Sequence, residues 1–278
     1  MQPKELYEAG RLQEAIAAQI ALVKDAPADE GKRMFLFELL AFACQWERAR
    51  RQLDALQFSE VERQTAAVQY RDLLAAEEQR QKVFAGAGRP EFLTEAPKHA
   101  LLRLEAVAAL AAGRAELAAE RVAEANELTP PIGGLLNGAP FDALRDADDL
   151  FGSVLEVMAK GKYFWVPLET VEALALNPPR FPRDLIWAPA RLAMNEGASG
   201  EVFLPTRYPG AEGAADELLR LARATDWTEP TPGLVLGQGL RMFLAGEDAQ
   251  SLLDWRQLEV GGLVDEDAKT GNAAQEEE

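Results

Sequence analysis

The sequence contains very few of the residues that most often carry catalysis or bind metals. Its 278 residues include one cysteine, Cys44, and one histidine, His99. A single cysteine cannot form an intramolecular disulfide, which fits a reducing compartment. The two counts also exclude a metal site built from cysteine and histidine. No nucleophile motif such as G-x-S-x-G accompanies His99, so a surface or helix-capping histidine is favoured. We expect no metal and no cofactor.

Positive charge is scarce as well. The chain has 29 Lys and Arg residues against 46 Asp and Glu residues, a formal net charge of −17. The net charge is −4 over residues 1–130 (17 basic, 21 acidic), −8 over 131–260 (11 and 19) and −5 over 261–278 (1 and 6). No segment offers the basic surface that nucleic acid or an anionic membrane requires, so neither is expected as a partner.

Long apolar runs are also missing. No run approaches the roughly 20 residues of a membrane span. The first twenty residues carry Glu5, Glu8 and Glu14, which a secretory signal with a continuous apolar core would not. We therefore expect a cytoplasmic protein.

What the sequence does contain is a helical pattern that recurs. The stretch "GRLQEAIAAQIALVKDAP" (10–27) keeps its apolar residues at helical spacing. The stretches that lie 34 and 103 residues further along the chain are "CQWERARRQLDAL" and "GRAELAAERVAEANELTP". In this alignment, Ala49 and Ala118 occupy the position of Ala15. A period of about 34 residues with a small residue at the helix crossing is typical of tetratricopeptide repeats. An ordinary antiparallel helical array with chance spacing is the alternative.

Residues 1–130 are therefore predicted to form seven helices in a short, irregular superhelix. The helix over 59–85 should begin at a capping box of Ser59 and Glu62 and end at "GAGRP" (86–90). Stacked helix pairs leave a concave groove, which usually holds a peptide or a helix of a partner.

The second half changes character after "TPPIGG" (129–134). Short aromatic and β-branched runs predict strands, and "DELLRLARAT" predicts a helix over 216–225. The predicted strands are 162–168, 183–194, 200–208, 233–246 and 254–260. The fold class is thus two-domain, α and α+β: a tetratricopeptide-like domain (1–130), then a small antiparallel sheet or partly open barrel with one or two helices (131–260). The acidic tail, 261–278, is predicted to be disordered.

The search for chemistry finds one acidic candidate, "DALRDADD" (142–149). Its four aspartates do not meet the calcium-loop pattern, so a solvated, helix-capping stretch is favoured; they are Asp142, Asp146, Asp148 and Asp149. The glycines of "GLVLGQG" (233–239) have no phosphate-binding spacing and are typical of a bulge or close strand packing. No catalytic constellation emerges.

Several motifs in this order resemble one known family. They are "GKYFWVP", "RDLIWAPARL", "GEVFLPTRYPG", "RLARATDW" and "GLRMFLAGE", preceded by "FDALRDADDLFGSVLEVMAKGKYFWVP" and the helical opening. The chain resembles the ImpE family, also called SciE or TagJ, over about residues 3–260. The resemblance implies a type VI secretion accessory protein that is not an enzyme. It also implies binding to the N-terminal helix of the small contractile-sheath subunit and a link to the ATPase that recycles the sheath.

Two hypotheses follow. The first is an adaptor whose helical groove holds the sheath-subunit helix. The second is an enzyme that acts on a small substrate through carboxylates of the second domain, such as Asp142, Asp184 or Asp226. In a tetratricopeptide pair the first helix lines the concave face. The repeat register therefore predicts a docking surface of five residues: Met34, Glu38, Phe42, Arg103 and Val107.

Overall fold

The computed structural model describes residues 1–56 and 61–261. Among these residues, seven helices precede residue 130, and the predicted helical first half is confirmed. They are α1 (Pro3–Glu8), α2 (Leu12–Asp25), α3 (Glu30–Phe42), α4 (Trp46–Asp54), α5 (Val61–Phe84), α6 (Lys98–Ala111) and α7 (Ala115–Leu128). The predicted cap Ser59 lies outside the described residues, as does the side chain of Glu62.

The three aligned sequence copies correspond to three similar helix ends. Gly10, Cys44 and Gly113 all have left-handed backbones, with φ of 79°, 53° and 71°. Each lies just after the first helix of a pair (α1–α2, α3–α4 and α6–α7). At each of these helix ends, two backbone amides that follow the helix donate hydrogen bonds to carbonyls of its last turn, as in a Schellman motif. At Cys44, the Cys44 amide donates to the Ala41 carbonyl and the Gln45 amide donates to the Leu40 carbonyl. The repeated element is thus a helix pair with a fixed turn.

The small residues at the aligned crossings are buried. Ala15, Ala49 and Ala118 have no exposed surface, as close helix packing requires. Helix pairs are therefore confirmed, whereas their arrangement as a tetratricopeptide-like superhelix stays a prediction.

The second half is a mainly antiparallel β structure, as predicted, but it is richer in strands. After residue 130, the described part of the chain contains thirteen strands and one short α-helix, α8 (Glu217–Arg220). The strands are β1 (Gly134–Leu136), β2 (Ala139–Phe141), β3 (Leu144–Asp146), β4 (Val154–Ala159), β5 (Lys162–Pro167), β6 (Val171–Leu176), β7 (Trp187–Met194), β8 (Ser199–Pro205), β9 (Thr225–Thr231), β10 (Leu234–Gly239), β11 (Met242–Ala245), β12 (Asp248–Ser251) and β13 (Gln257–Val260).

Eight of these strands form one sheet, in the order β2-β1-β13-β6-β7-β8-β4-β5. Strands β12-β11-β3 form a second sheet, and β9 and β10 form a hairpin. All these strand pairs are antiparallel. The predicted strand 233–246 is two strands, β10 and β11, because the chain turns at Gly239, whose φ is 81°. The predicted helix 216–225 is wrong beyond α8, since β9 begins at Thr225.

Two apolar clusters hold the structure together. One lies within the sheet half and includes Phe243 and Trp255, whose ring centroids are 4.4 Å apart. The other combines α1–α7 with Trp165, Trp187 and Tyr208 from the second half. Residues on both sides of the predicted domain boundary near residue 130 therefore share one apolar core. The predicted domains, 1–130 and 131–260, stay a prediction.

Candidate functional site

Four of the five residues predicted to bind a partner lie in the interior. Glu38, Phe42, Arg103 and Val107 are buried, and Met34 is half-buried against the same core. Residues 34, 38 and 42 do share one face of α3, as the register predicted. The expectation that this face is open is wrong, because the second half of the chain covers it. Binding of a partner by these residues stays an untested prediction.

Glu38 and Phe42 contact the second half directly. Arg183, in the short 3-10 helix Pro182–Leu185, donates from Nη1 to Glu38 Oε1 and from Nε to the Tyr70 hydroxyl. Burial raises the pKa of Glu38 above its ordinary value, and the Arg183 charge opposes that rise. Arg207 donates from Nη1 to the backbone carbonyl of Phe42 at 2.7 Å. The inner face of α3 thus binds this protein's own residues.

Arg103 has a similar internal role. Its Nη1 donates to the Asp149 carbonyl at 2.7 Å, and its Nη2 donates to Asn126 Oδ1 at 2.6 Å. Burial lowers the pKa of Arg103 to about 10. Gly152 lies so close that a Cβ there would be 2.3 Å from Arg103 Nη2. The hydrogen bonds of Arg103 therefore connect α6 to α7 and to the loop before β4.

The acidic stretch 142–149 was predicted to be solvated, and for two of its aspartates this is wrong. Asp146 and Asp148 are buried. Asp146 Oδ2 accepts from Arg241 Nη1 at 3.1 Å, and Asp146 Oδ1 accepts from the Tyr208 hydroxyl at 2.8 Å. Asp148 accepts from the backbone amides of Leu150 and Gly237, both at 2.8 Å. Burial raises the pKa of Asp146 to about 6 and that of Asp148 to about 8.

Asp146 belongs to a buried charge cluster, which we define as Arg80, Asp146, Glu156 and Arg241. Glu156 accepts from Arg80 Nε at 2.6 Å and from Arg80 Nη2 at 2.9 Å, and also from Arg241 Nη2 and the Tyr163 hydroxyl. Burial alone would raise the pKa of Glu156, but the Arg80 and Arg241 charges hold it below its ordinary value. Because Arg80 is on α5 and Glu156 on β4, the cluster joins the two halves.

His99 is buried, so the predicted surface or capping position is wrong. Its Nε2 lies 2.6 Å from Glu169 Oε1, and its Nδ1 lies 3.4 Å from Ser153 Oγ. This order of groups resembles a nucleophile–base–acid triad. Ser153 and His99, however, expose only 1% and 2% of their surface. Both side chains are therefore buried in this structure, and the His99–Glu169 contact connects α6 to the segment between β5 and β6.

None of the three acids of the enzyme hypothesis lines a cavity described for this structure, and Asp142 is exposed. Asp184 accepts from the backbone amides of Arg180 and Phe181, and Asp226 accepts from the amide of Trp227. These are bonds within local turns. Within residues 1–56 and 61–261, no group of three or more His, Cys, Asp or Glu residues could hold a metal ion. In the same ranges, no helix combines the length and apolar character that crossing a membrane requires.

Two of the solvent-open cavities formed by the described residues have linings suited to binding, and neither was predicted from the sequence. The first, which we call the sheet-end cavity, has a volume of about 370 Å³. It lies where the β4–β5 turn meets the end of β7 and the start of β8; β8 pairs with β7 along its length and with β4 at one position, Met158 with Phe203. The cavity is lined mainly by apolar side chains and carries both signs of charge: its lining includes Leu93, Val157, Phe164, Leu192, Met194, Val202, Lys160, Lys162 and Glu201.

The second, which we call the junction cavity, has a volume of about 420 Å³. It lies where the start of α4, the C-terminal part of α5 and segment 207–212 meet. Its lining combines aromatic and charged side chains, Trp46, Phe84, Tyr208, Glu77, Arg80, Arg207 and Glu212, with Cys44 among them. The only sequence signal for it was a pair of charges, Glu77 and Arg80, three residues apart on an otherwise buried helix face.

Comparisons with known proteins agree with the observed architecture. A model of the ImpE protein family matches residues 138–259. The type VI secretion system accessory component TagJ of Pseudomonas aeruginosa is 35% identical over 256 residues, which cover 92% of this chain and 90% of TagJ. A crystal structure of protein VPA1032 from Vibrio parahaemolyticus superposes with a TM-score of 0.86 at 26% identity, covering 97% of this chain and all of that one. The chain therefore belongs to the ImpE family of type VI secretion system accessory components, the family of TagJ.

Proposed function

We propose that this protein is a non-enzymatic cytoplasmic adaptor of a type VI secretion system that binds the N-terminal helix of the small sheath subunit. The observation that carries the proposal is the 35% identity to an accessory component of such a system over 92% of the chain. In this proposal the adaptor also links the sheath to the ATPase that recycles it. The buried position of Ser153 and the scattered carboxylates support a role without catalysis.

The sheet-end cavity is the docking place in this proposal. The face of α3 predicted from the sequence is occupied by Arg183 and Arg207, whereas the sheet-end cavity is open and lined mainly by apolar side chains. An amphipathic helix can insert apolar side chains into such a cavity. Lys160 is exposed and has no ion-pair partner among the described residues, so it can meet an acidic residue of the incoming helix.

Titration calorimetry with a synthetic peptide of the sheath subunit's N-terminal helix, taken from the same gene cluster, tests this proposal. Leu93→Glu should weaken binding at least tenfold, about 1.4 kcal/mol, because it removes an apolar contact and places a charged carboxylate against the apolar peptide face. The matched control is Leu128→Glu on α7, since Leu128 is exposed to a similar degree, 44% against 39% for Leu93. Equal loss in both variants, or no loss in Leu93→Glu, would remove the docking place. No binding by the unaltered protein would overturn the adaptor proposal.

A further inference from the structure

The junction cavity contains charged groups that the docking proposal does not use. We propose that it binds a guanidinium or ammonium group of a partner protein, with Glu77 and Glu212 as the acceptors. The proposal rests on the proposed function only for the presence of a partner, because the cavity's preference for a cation can be measured with a single amino-acid derivative.

The two arginines at the cavity are already committed to this chain. Arg80 donates from Nε and Nη2 to Glu156, and Nη2 also reaches the Arg207 carbonyl at 2.7 Å. Arg207 donates to backbone carbonyls at the C-terminal ends of α3 and α8, at 2.6 to 3.3 Å. These bonds use three of the five N–H groups of each arginine, which reduces the capacity of both side chains to bind an incoming anion.

The two acids, in contrast, have free acceptor atoms. Glu77 is only 3% exposed, and its Oε1 accepts from Trp187 Nε1 at 2.9 Å. Glu77 Oε2 forms an ion pair with Arg80 Nη1 over 3.6 Å but accepts no hydrogen bond from the described residues. It therefore keeps acceptor capacity, so a cation that donates to it gains a charge-assisted hydrogen bond. Glu212, at the rim, has no ion-pair partner within the described ranges and adds a second acceptor.

The walls of the cavity also suit a cation. Trp46, Phe84 and Tyr208 line it, and the faces of aromatic rings attract guanidinium and ammonium groups. Burial raises the pKa of the Cys44 thiol, so this group stays neutral near pH 7 and the negative charge of the cavity comes from Glu77 and Glu212. The volume of about 420 Å³ accommodates one long side chain with part of its backbone.

The test uses N-acetyl-arginine amide and its neutral isostere N-acetyl-citrulline amide, titrated into the full chain and followed by saturation-transfer NMR. The arginine derivative should bind at millimolar concentrations and the citrulline derivative at least fivefold more weakly, about 1 kcal/mol. Glu77→Gln and Glu212→Gln should each weaken the arginine derivative at least threefold. Glu116→Gln, an exposed acid on α7, should leave its affinity unchanged.

Equal affinity for the two derivatives, or no saturable binding of the arginine derivative, would overturn the proposal. Glu212 is on the surface, so Glu212→Gln tests the cavity even if Glu77→Gln lowers the stability of the fold. No sheath peptide is present in this experiment. Its failure is therefore distinct from failure of the adaptor proposal, which the calorimetry measures separately.

Discussion

Glu156→Gln should be among the most destabilising single substitutions that keep the size of the side chain. Glu156 receives hydrogen bonds from Arg80, Arg241 and Tyr163 in a fully buried position. The amide has no charge and one acceptor oxygen, so Arg241 would keep Asp146 and Arg80 would keep Glu77, 3.6 Å from its Nη1, as the remaining ion-pair partners. Breaking one side of a buried ion pair costs about 3–5 kcal/mol. At about 2–4 °C per kcal/mol for a chain of this size, the melting temperature should fall by about 10 °C.

Urea unfolding followed by far-UV circular dichroism and tryptophan fluorescence measures this loss. The matched control is Glu91→Gln, which makes the same chemical change in the exposed pair Lys162–Glu91, whose atoms are 3.0 Å apart. An exposed pair contributes about 0–1 kcal/mol, so the control should remain close to the unaltered protein. Both probes should report one transition, because the cluster and the shared core join the two halves. A loss below about 1 kcal/mol in Glu156→Gln would refute the reasoning.

Two further predictions concern the interior. The pKa of Asp148 is about 8 in the folded protein against an ordinary value of 3.8, so the folded state binds the extra proton and stability should fall as pH rises from about 4 to about 8. Asp148→Asn should flatten this dependence in urea unfolding at a series of pH values, and an unchanged slope would contradict it. Gly237→Ala would place a Cβ 2.2 Å from the Tyr208 ring and should cost about 1–3 kcal/mol. The control is Gly200→Ala, whose added Cβ would have no atom within 4 Å, and it should change stability by less than about 0.5 kcal/mol. Equal losses of stability in the two variants would show that the contact with the Tyr208 ring has no effect.

The helical half could be predicted well because its signals are local. The left-handed turn after each first helix requires a glycine or a tolerated substitute, and Gly10, Cys44 and Gly113 mark those turns in the sequence. The alanines at the crossings repeat for the same geometric reason. The sequence also showed that residues 34, 38 and 42 share a face of α3. It could not show that Arg183, more than 140 residues away, covers that face.

The sheet half and the cavities were harder to predict because their determinants are distant in sequence. Asp146 has the appearance of a solvated acid in "DALRDADD", and only the fold brings Arg241 to it across 95 residues. Strands such as β1 and β3 have three residues each, too few to show a period. The sheet-end cavity is lined by residues of β4, β5, β7 and β8, and a surface assembled from four strands leaves no local pattern in the sequence.

Hydrogen–deuterium exchange of the full chain, with and without the sheath-subunit peptide, tests the central claim most directly. If the peptide docks in the sheet-end cavity, its apolar face covers the ends of β4, β5, β7 and β8. Amides of residues 157–164 and 192–202 should then exchange more slowly in the complex, while those of 34–42 and 103–107 should not change. Protection confined to 34–42 and 103–107 would contradict this account and restore the docking face predicted from the sequence.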